Sequence, residues 1–432
     1  MRILVLNCPS KTHLYALTPL AWALRTAGHE VRMATQPDPV GLTPQDVAHT
    51  GLTAVSLGTP IDLTAMVSEK ATEEEALPVP DADAGPYENG RKSVQADYAA
   101  DDPLGELTAL ADWHFTIFNP DSVIDDAVRF ARAWKPDLVL WDGMTMAYAG
   151  PVAARACGAA HARLVMCTDA LMQLRTAARA VDPARDPMRV HLEPILARYG
   201  LDFTEESVTG QWSVNAMPPW TWQPEGIDYQ MVRAVPFNGP SIVPEWLYAE
   251  PDRRRVCLTL GLSFRELNAG ASVSDMLDAV ADLDAEVIVT LTDEQRAALP
   301  ALPGNVRPVP FVPLNALLPT CSAIVHHGGY GTVAAATYYG VPQLLVPGKF
   351  GADKFWGPLA VVTALEEQGA GVYVSDPGRL TAEALHNQLR RVLDSPSYGR
   401  NAERLRARTA AVPSPNDVVP QMEKLATVHR AG

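Results

Sequence analysis

Val325-His326-His327-Gly328-Gly329-Tyr330-Gly331-Thr332 joins an apolar run to a helix through a glycine-rich turn. Ala323-Ile324-Val325 reads as the end of a buried strand, and Thr332 to Tyr339 reads as the helix that follows. The glycines let the backbone turn sharply and approach a ligand closely. Such a junction aims backbone N–H groups and the positive end of a helix dipole at one point, which suits a phosphate. His327, just before the turn, is a further donor to an anion; a histidine merely packed at a tight turn is the alternative. His326 belongs to the opposite, buried face, because neighbouring strand residues alternate.

The turn sits in a chain built from repeated strand–helix units. Ile3 to Leu6 is a β-rich apolar run, Pro19 to Ala27 has helical apolar spacing ending at Gly28, and His29 to Thr35 reads as a second strand. This is the opening of a doubly wound parallel sheet, an α/β fold. Asp121 to Trp134 is a helix with Asn119 or Asp121 as its N-cap and Lys135-Pro136 as its stop. Asp137 to Trp141 follows as a central strand, then a helix from Met146 to Cys157 closed by Gly158. Two stretches lack a clear period, the acidic Ser68 to Tyr98 and the Trp- and Pro-rich Trp212 to Tyr229. A second set of strands begins at Arg255–Gly261 and continues at Glu286–Leu291, Val306–Val309, Ala323–His326 and Gln343–Val346.

At 432 residues the chain fits two domains of about 200 residues better than one core. The expected division is a first Rossmann-like domain over 1–232, a linker over 233–250, a second domain over 251–410 and a final helix within 411–432. Charged residues at 20% and hydrophobic ones at 47% describe a soluble globular protein. A net charge of −15 disfavours nucleic acid or an anionic membrane as the main partner. The N-terminus reads as a strand rather than a signal peptide, and no apolar run approaches the roughly 18 residues of a membrane span. Five cysteines without metal-ligand spacing read as reduced thiols of a cytoplasmic protein.

Two residues stand where acid–base chemistry is done in such sheets. His13 follows the first strand in the Ser10-Lys11-Thr12-His13 loop, and C-terminal strand ends face the ligand crevice. An imidazole near its ordinary pKa of about 6.5 accepts a hydroxyl proton at neutral pH. Asp142 ends the strand Leu138–Trp141 at the same sheet edge, fit to hold that imidazole or to cap the next helix. Asp121 and Asp169 are the weaker candidates for the same role.

Phe311-Val312-Pro313-Leu314, His327-Gly328-Gly329, Gly340-Val341-Pro342 and Asp353 occur in an order and spacing with a known likeness. The pattern resembles the donor-binding segment of nucleotide-sugar glycosyltransferases of the GT-B fold, family 1, whose two Rossmann-like domains face each other across a cleft. Lys11-Thr12-His13, Asn119-Pro120-Asp121-Ser122 and Trp134 to Asp142 extend the likeness through the first half. The nearest kin are bacterial enzymes that attach deoxysugars to macrolides and other polyketides.

The resemblance implies a catalytic pair, His13 as general base and Asp142 as its partner. It implies a donor site in which Phe311 stacks on the nucleotide base and Val312 reads it through the backbone. Ser263, His327, Gly329, Gly331 and Thr332 then meet the phosphates, and Asp353 with Lys354 meets the sugar. Trp113, Phe115, Phe118 and Met144, with Met146, Met166 and Met172, offer apolar surface to a hydrophobic acceptor. Plant members carry a glutamate on the ribose 2′-hydroxyl eight residues after the phosphate-binding histidine, where this chain has Ala335. A thymidine diphosphate sugar is therefore the expected co-substrate, and Lys354 in place of the common Gln suits a deoxygenated sugar. No Asp-x-Asp motif is placed for a metal, so no metal and no cofactor are expected. The expected reaction is an inverting transfer to a polyketide-type hydroxyl, with a helper protein related to cytochromes P450 and a homodimer as partners the family allows. The competing readings are a uridine-diphosphate-sugar transferase for a lipid, sterol or phenol, and a catalytically silent nucleotide-binding protein. His13 and Asp142 together argue against the silent protein, since binding alone needs neither.

Overall fold

A computed structural model describes residues 1–63, 65–66, 102–259, 273–299, 301–346, 358–375 and 380–430. The first half forms a seven-stranded parallel sheet in the order β3-β2-β1-β4-β5-β6-β7. Its strands are β1 (Arg2–Asn7), β2 (Glu30–Thr35), β3 (Thr53–Ser56), β4 (Leu138–Asp142), β5 (Ala160–Val165), β6 (Trp212–Asn215) and β7 (Tyr229–Met231). The second half forms a six-stranded parallel sheet in the order β10-β9-β8-β11-β12-β13. Its strands are β8 (Arg255–Thr259), β9 (Glu286–Thr290), β10 (Val306–Val309), β11 (Ala323–His326), β12 (Gln343–Leu345) and β13 (Gly371–Tyr373).

The central strands are apolar throughout because helices cover both of their faces. Leu4 and Leu6 enter one core with Val128, Val139 and Trp141. Ile3 and Val5 enter the other with Leu14, Leu17 and Leu140. In each sheet the strand order reverses between the first and fourth strands, at β1/β4 and at β8/β11. A crevice opens at that reversal beyond the carboxyl ends of the strands, and ligands of open α/β sheets bind there. Leu6 pairs with Trp141 across the first reversal, and His326 with Thr259 across the second.

Several local expectations change. The helix after β1 runs from Lys11 to Thr26 with Ser10 as N-cap, so His13 stands on its first turn and not in a loop. The helix Asp121–Trp134 starts from Pro120, and neither Asn119 nor Asp121 caps it. Asn119 instead accepts the Ala149 N–H at 2.9 Å and donates to the Phe115 and Thr145 carbonyls. Lys135 ends the helix with φ 54°, and the following proline prevents its continuation. The aperiodic Trp212 to Tyr229 stretch supplies β6 and β7, which extend the sheet at its edge. The acidic 68–98 stretch lies outside the described residues.

The chain ends on the first domain. Ser414 and Asp417 form a capping box that starts the helix Pro415–His429. Val418, Val419, Met422 and Ala426 of that helix join the core of the first sheet. The connecting segment is also tied down: the Phe237 ring meets Tyr15 edge-on at 5.5 Å, and Asn238 Oδ1 accepts the Asn315 N–H at 3.0 Å. Among the described residues no helix is long and apolar enough to cross a membrane.

Candidate active site

His13 and Asp142 meet at the β1/β4 reversal. The helix Lys11–Thr26 carries His13 back over the end of β1, and β4 delivers Asp142 at its last residue. His13 Nδ1 lies 2.5 Å from Asp142 Oδ2. The carboxylate is fully buried, whereas the imidazole keeps 19% of its surface. Asp142 Oδ1 accepts the Met144 N–H at 2.9 Å, so one side chain both pairs with the histidine and fixes the turn after β4. With Nδ1 taken by the carboxylate, Nε2 is the nitrogen left for a substrate proton.

Burial disfavours charge on His13, but the Cys8 sulfur and the Asp142 carboxylate outweigh it and hold the imidazole well above its ordinary value. Burial also acts against charge on Asp142, yet His13 and the Met144 N–H keep its carboxyl below the usual range. Cys8 completes the cluster from the end of β1: its Sγ, a His13 ring nitrogen and an Asp142 oxygen all lie within 4.8 Å of one another. Burial pushes its thiol up. Nothing in the spacing of the cysteines pointed to this thiol, which the chain reversal after β1 brings in.

Beside the dyad the helix Pro103–Ala109 widens into one π-helical turn, Leu110–Phe115. Such insertions re-aim side chains and are common at functional sites. Leu110, Phe115, Gly143, Met144, Arg163 and Leu171 line a small, largely enclosed hollow there, with room for about one water. His114 donates from Nε2 to the Met144 carbonyl at 2.8 Å, and burial lowers its pKa to about 4. Of the expected acceptor residues, Phe115 and Met144 line this enclosed hollow, and Trp113 lines a larger, open one with Gln36 and Met66. Phe115 and Phe118 are both buried in one core, Phe118 with its ring edge-on to His114, and Met146, Met166 and Met172 are buried too.

Sequence reasoning missed the buried ion pair beside the enclosed hollow. Arg163 Nη1 donates to Asp169 Oδ1 at 3.1 Å, and Arg163 Nε to Ser213 Oγ at 3.2 Å. Tyr229 donates its hydroxyl to Asp169 Oδ2 at 2.7 Å. Arg163 and Asp169 are both buried, so each satisfies the other's charge. Asp169 is thus committed to Arg163, and exposed Asp121 pairs with Arg198, leaving Asp142 as the partner of His13.

The glycine-rich turn occupies the second reversal. Gly328 adopts φ 93°, a conformation that L side chains rarely take. Its N–H donates to His326 Nδ1 at 3.0 Å, so His326 Nε2 carries the proton and donates to Gln343 Oε1 at 3.1 Å. His326 is buried and braces the turn from behind. The His327 ring lies over Gly329, where a Cβ would come within 2.5 Å of Nε2. Burial lowers the His327 pKa to about 4, so the ring is neutral at physiological pH. The helix Tyr330–Tyr339 begins two residues earlier than expected, with Gly329 at its N-cap and no side chain capping it. The Thr332 N–H donates to the Gly329 carbonyl at 3.0 Å, whereas the Tyr330 and Gly331 N–H groups of the first turn are available to an anion.

Phe311 exposes 45% of its surface, while Val312 is buried with Ala335 in the core beneath the turn. Tyr330 reaches from the turn to the first domain, where its ring packs on that core and its hydroxyl lies 3.5 Å from the Ala216 carbonyl. Ser263, Asp353 and Lys354 lie outside the described residues.

The model of the "Erythromycin biosynthesis protein CIII-like" family matches this chain in both parts, its N-terminal domain over residues 22–261 and its C-terminal domain over 274–425. The chain is 43% identical to aclacinomycin-T 2-deoxy-L-fucose transferase of Streptomyces galilaeus, over all of this chain and 97% of that protein. It is 42% identical to 10-deoxymethynolide desosaminyltransferase of Streptomyces venezuelae, over all of this chain and 98% of the relative. The solved structure of glycosyltransferase VinC in complex with dTDP superposes with a TM-score of 0.81 at 37% identity, over 99% of this chain and 100% of that one. The chain belongs to the erythromycin biosynthesis protein CIII-like family and has its GT-B architecture, an enzyme of the nucleotide-sugar-dependent glycosyltransferase class.

Proposed function

We propose that this member of the family moves a deoxysugar from thymidine diphosphate to a hydroxyl of a hydrophobic polyketide-type acceptor, with inversion and without a metal. The observation that carries the mechanism is the His13–Asp142 contact of 2.5 Å at the reversal of the first sheet. The donor is assigned from VinC, solved with dTDP. The acceptor class is assigned from the relatives' names.

In this mechanism the acceptor hydroxyl attacks the anomeric carbon from the side opposite the diphosphate. The new C–O bond forms as the bond to the diphosphate breaks. The hydroxyl proton passes to His13 Nε2, and Asp142 stabilises the imidazolium. The negative charge growing on the diphosphate is met by the Tyr330 and Gly331 N–H groups at the Tyr330–Tyr339 helix start and by neutral His327. These donors supply what a divalent ion supplies elsewhere. A single displacement inverts the anomeric carbon.

The test is transfer with a dTDP-deoxysugar and a polyketide aglycone, product stereochemistry read by NMR, with and without EDTA. Retention at the anomeric carbon, or loss of activity in EDTA that Mg²⁺ restores, refutes the mechanism. A requirement for uridine diphosphate sugar refutes the donor.

A further inference from the structure

The cluster of Cys8, His13 and Asp142 combines three ligand types in one place. Cys8 Sγ, a His13 ring nitrogen and an Asp142 oxygen lie within 4.8 Å of one another, and among the described residues no other group of three does so. Thiolate, imidazole and carboxylate are the ligands of tetrahedral zinc sites, at about 2.3 Å for sulfur and about 2.0–2.2 Å for nitrogen and oxygen. Such bonds set ligand atoms roughly 3.2–3.6 Å apart. His13 Nδ1 and Asp142 Oδ2 now stand 2.5 Å apart, so they open slightly while Cys8 closes in. Cys8 and Asp142 are buried, but His13 keeps 19% of its surface and gives an ion a way in. A fourth position is then left for water.

We propose that Cys8, His13 and Asp142 form a binding site for a thiophilic divalent ion, zinc in particular, and that an ion there shuts off the base. The proton accounting shows why. Zinc takes the Cys8 sulfur as thiolate, and the thiol proton leaves to solvent. It takes the His13 Nδ1 lone pair: from the neutral ring the Nδ1 proton relocates to Nε2, from the imidazolium it leaves to solvent, and in both cases Nε2 carries a proton. Nε2 is the atom that must accept the acceptor's proton, and once protonated it cannot. The ion also uses the carboxylate that would stabilise the imidazolium. The loss of transfer rests on His13 being the base; the binding of the ion does not.

The probe is cobalt(II) added to the metal-free full-length chain, because a cobalt–thiolate bond gives a near-ultraviolet charge-transfer band. The expected result is one equivalent of cobalt bound with that band, displaced by zinc, and weakened at least about tenfold in Cys8→Ser, since soft thiolate selects such metals. X-ray absorption of the zinc-loaded wild type, which needs no variant, should show one sulfur near 2.3 Å in a shell of nitrogen and oxygen. A shell without sulfur, or a band of equal strength in folded Cys8→Ser, overturns the site. Zinc should inhibit transfer with the same midpoint as it displaces cobalt. Full transfer by the zinc-loaded protein overturns the effect on the base while the spectra still stand for the site.

Discussion

Asp142→Asn separates the charge of the dyad from its shape. Asp142 accepts at both oxygens, from His13 Nδ1 at 2.5 Å and from the Met144 N–H at 2.9 Å, out of reach of water. Asparagine offers one acceptor end and one donor end in the same volume. With its oxygen toward His13, its NH₂ confronts the Met144 N–H, and a buried donor that loses its partner costs about 1–3 kcal/mol. With its oxygen toward Met144, it donates to His13 Nδ1 and drives the imidazole proton to Nε2, the tautomer that cannot act as base. The active arrangement is the disfavoured one, by a factor of about 5–150 at 1.36 kcal/mol per tenfold. Loss of the carboxylate's support for the imidazolium adds to this, for a total near 10²–10⁴-fold, the scale of removing the base. Single-turnover transfer measures it, with dTDP affinity by calorimetry as the control that should not move. A folded Asp142→Asn protein that keeps more than about a third of the wild-type rate refutes the reasoning.

Further outcomes are expected for pH, for the donor site and for the buried ion pair. The rate should rise with pH through an apparent pKa above 6.5, because the base must be neutral and Cys8 and Asp142 hold His13 up against the pull of burial. The same shift means the His13 pairing stabilises the fold fully below pH 6.5 and ceases to as pH rises through the raised value, which thermal melts against pH should show. His327→Ala should weaken donor use about 10- to 150-fold, the loss of one strong hydrogen bond at about 1.5–3 kcal/mol, and leave aglycone binding unchanged; equal losses on both would mean a structural role. Calorimetry should find dTDP bound more tightly than uridine diphosphate, whereas Ala335→Glu, which puts a carboxylate into the core beside Val312, should lower the melting temperature. Arg163→Met should cost about 3–5 kcal/mol in a denaturant melt, because it leaves Asp169 charged and buried with only Tyr229 to answer it.

The sequence alone was enough for the doubly wound architecture, because the signals were local. Apolar runs such as Leu138–Trp141, glycines at helix ends and the Gly328–Gly331 turn each report a neighbour within a few residues. It was also enough to nominate His13, Asp142 and His327, since strand ends fix which side chains stand at the crevice. Boundaries were less legible: β6 and β7 carry too few residues for a period to show, and they form because the edge of β5 offers hydrogen bonds to β6 and β6 in turn to β7. Only the tertiary structure decided the partnerships. Asp142 and Asp169 both follow strands of one sheet, yet Arg163 claims the second and leaves the first to His13, a choice set by distance and burial. Cys8 enters the cluster for the same reason. Side-chain direction at a chain reversal depends on packing from elements more than a hundred residues away, which no local pattern encodes.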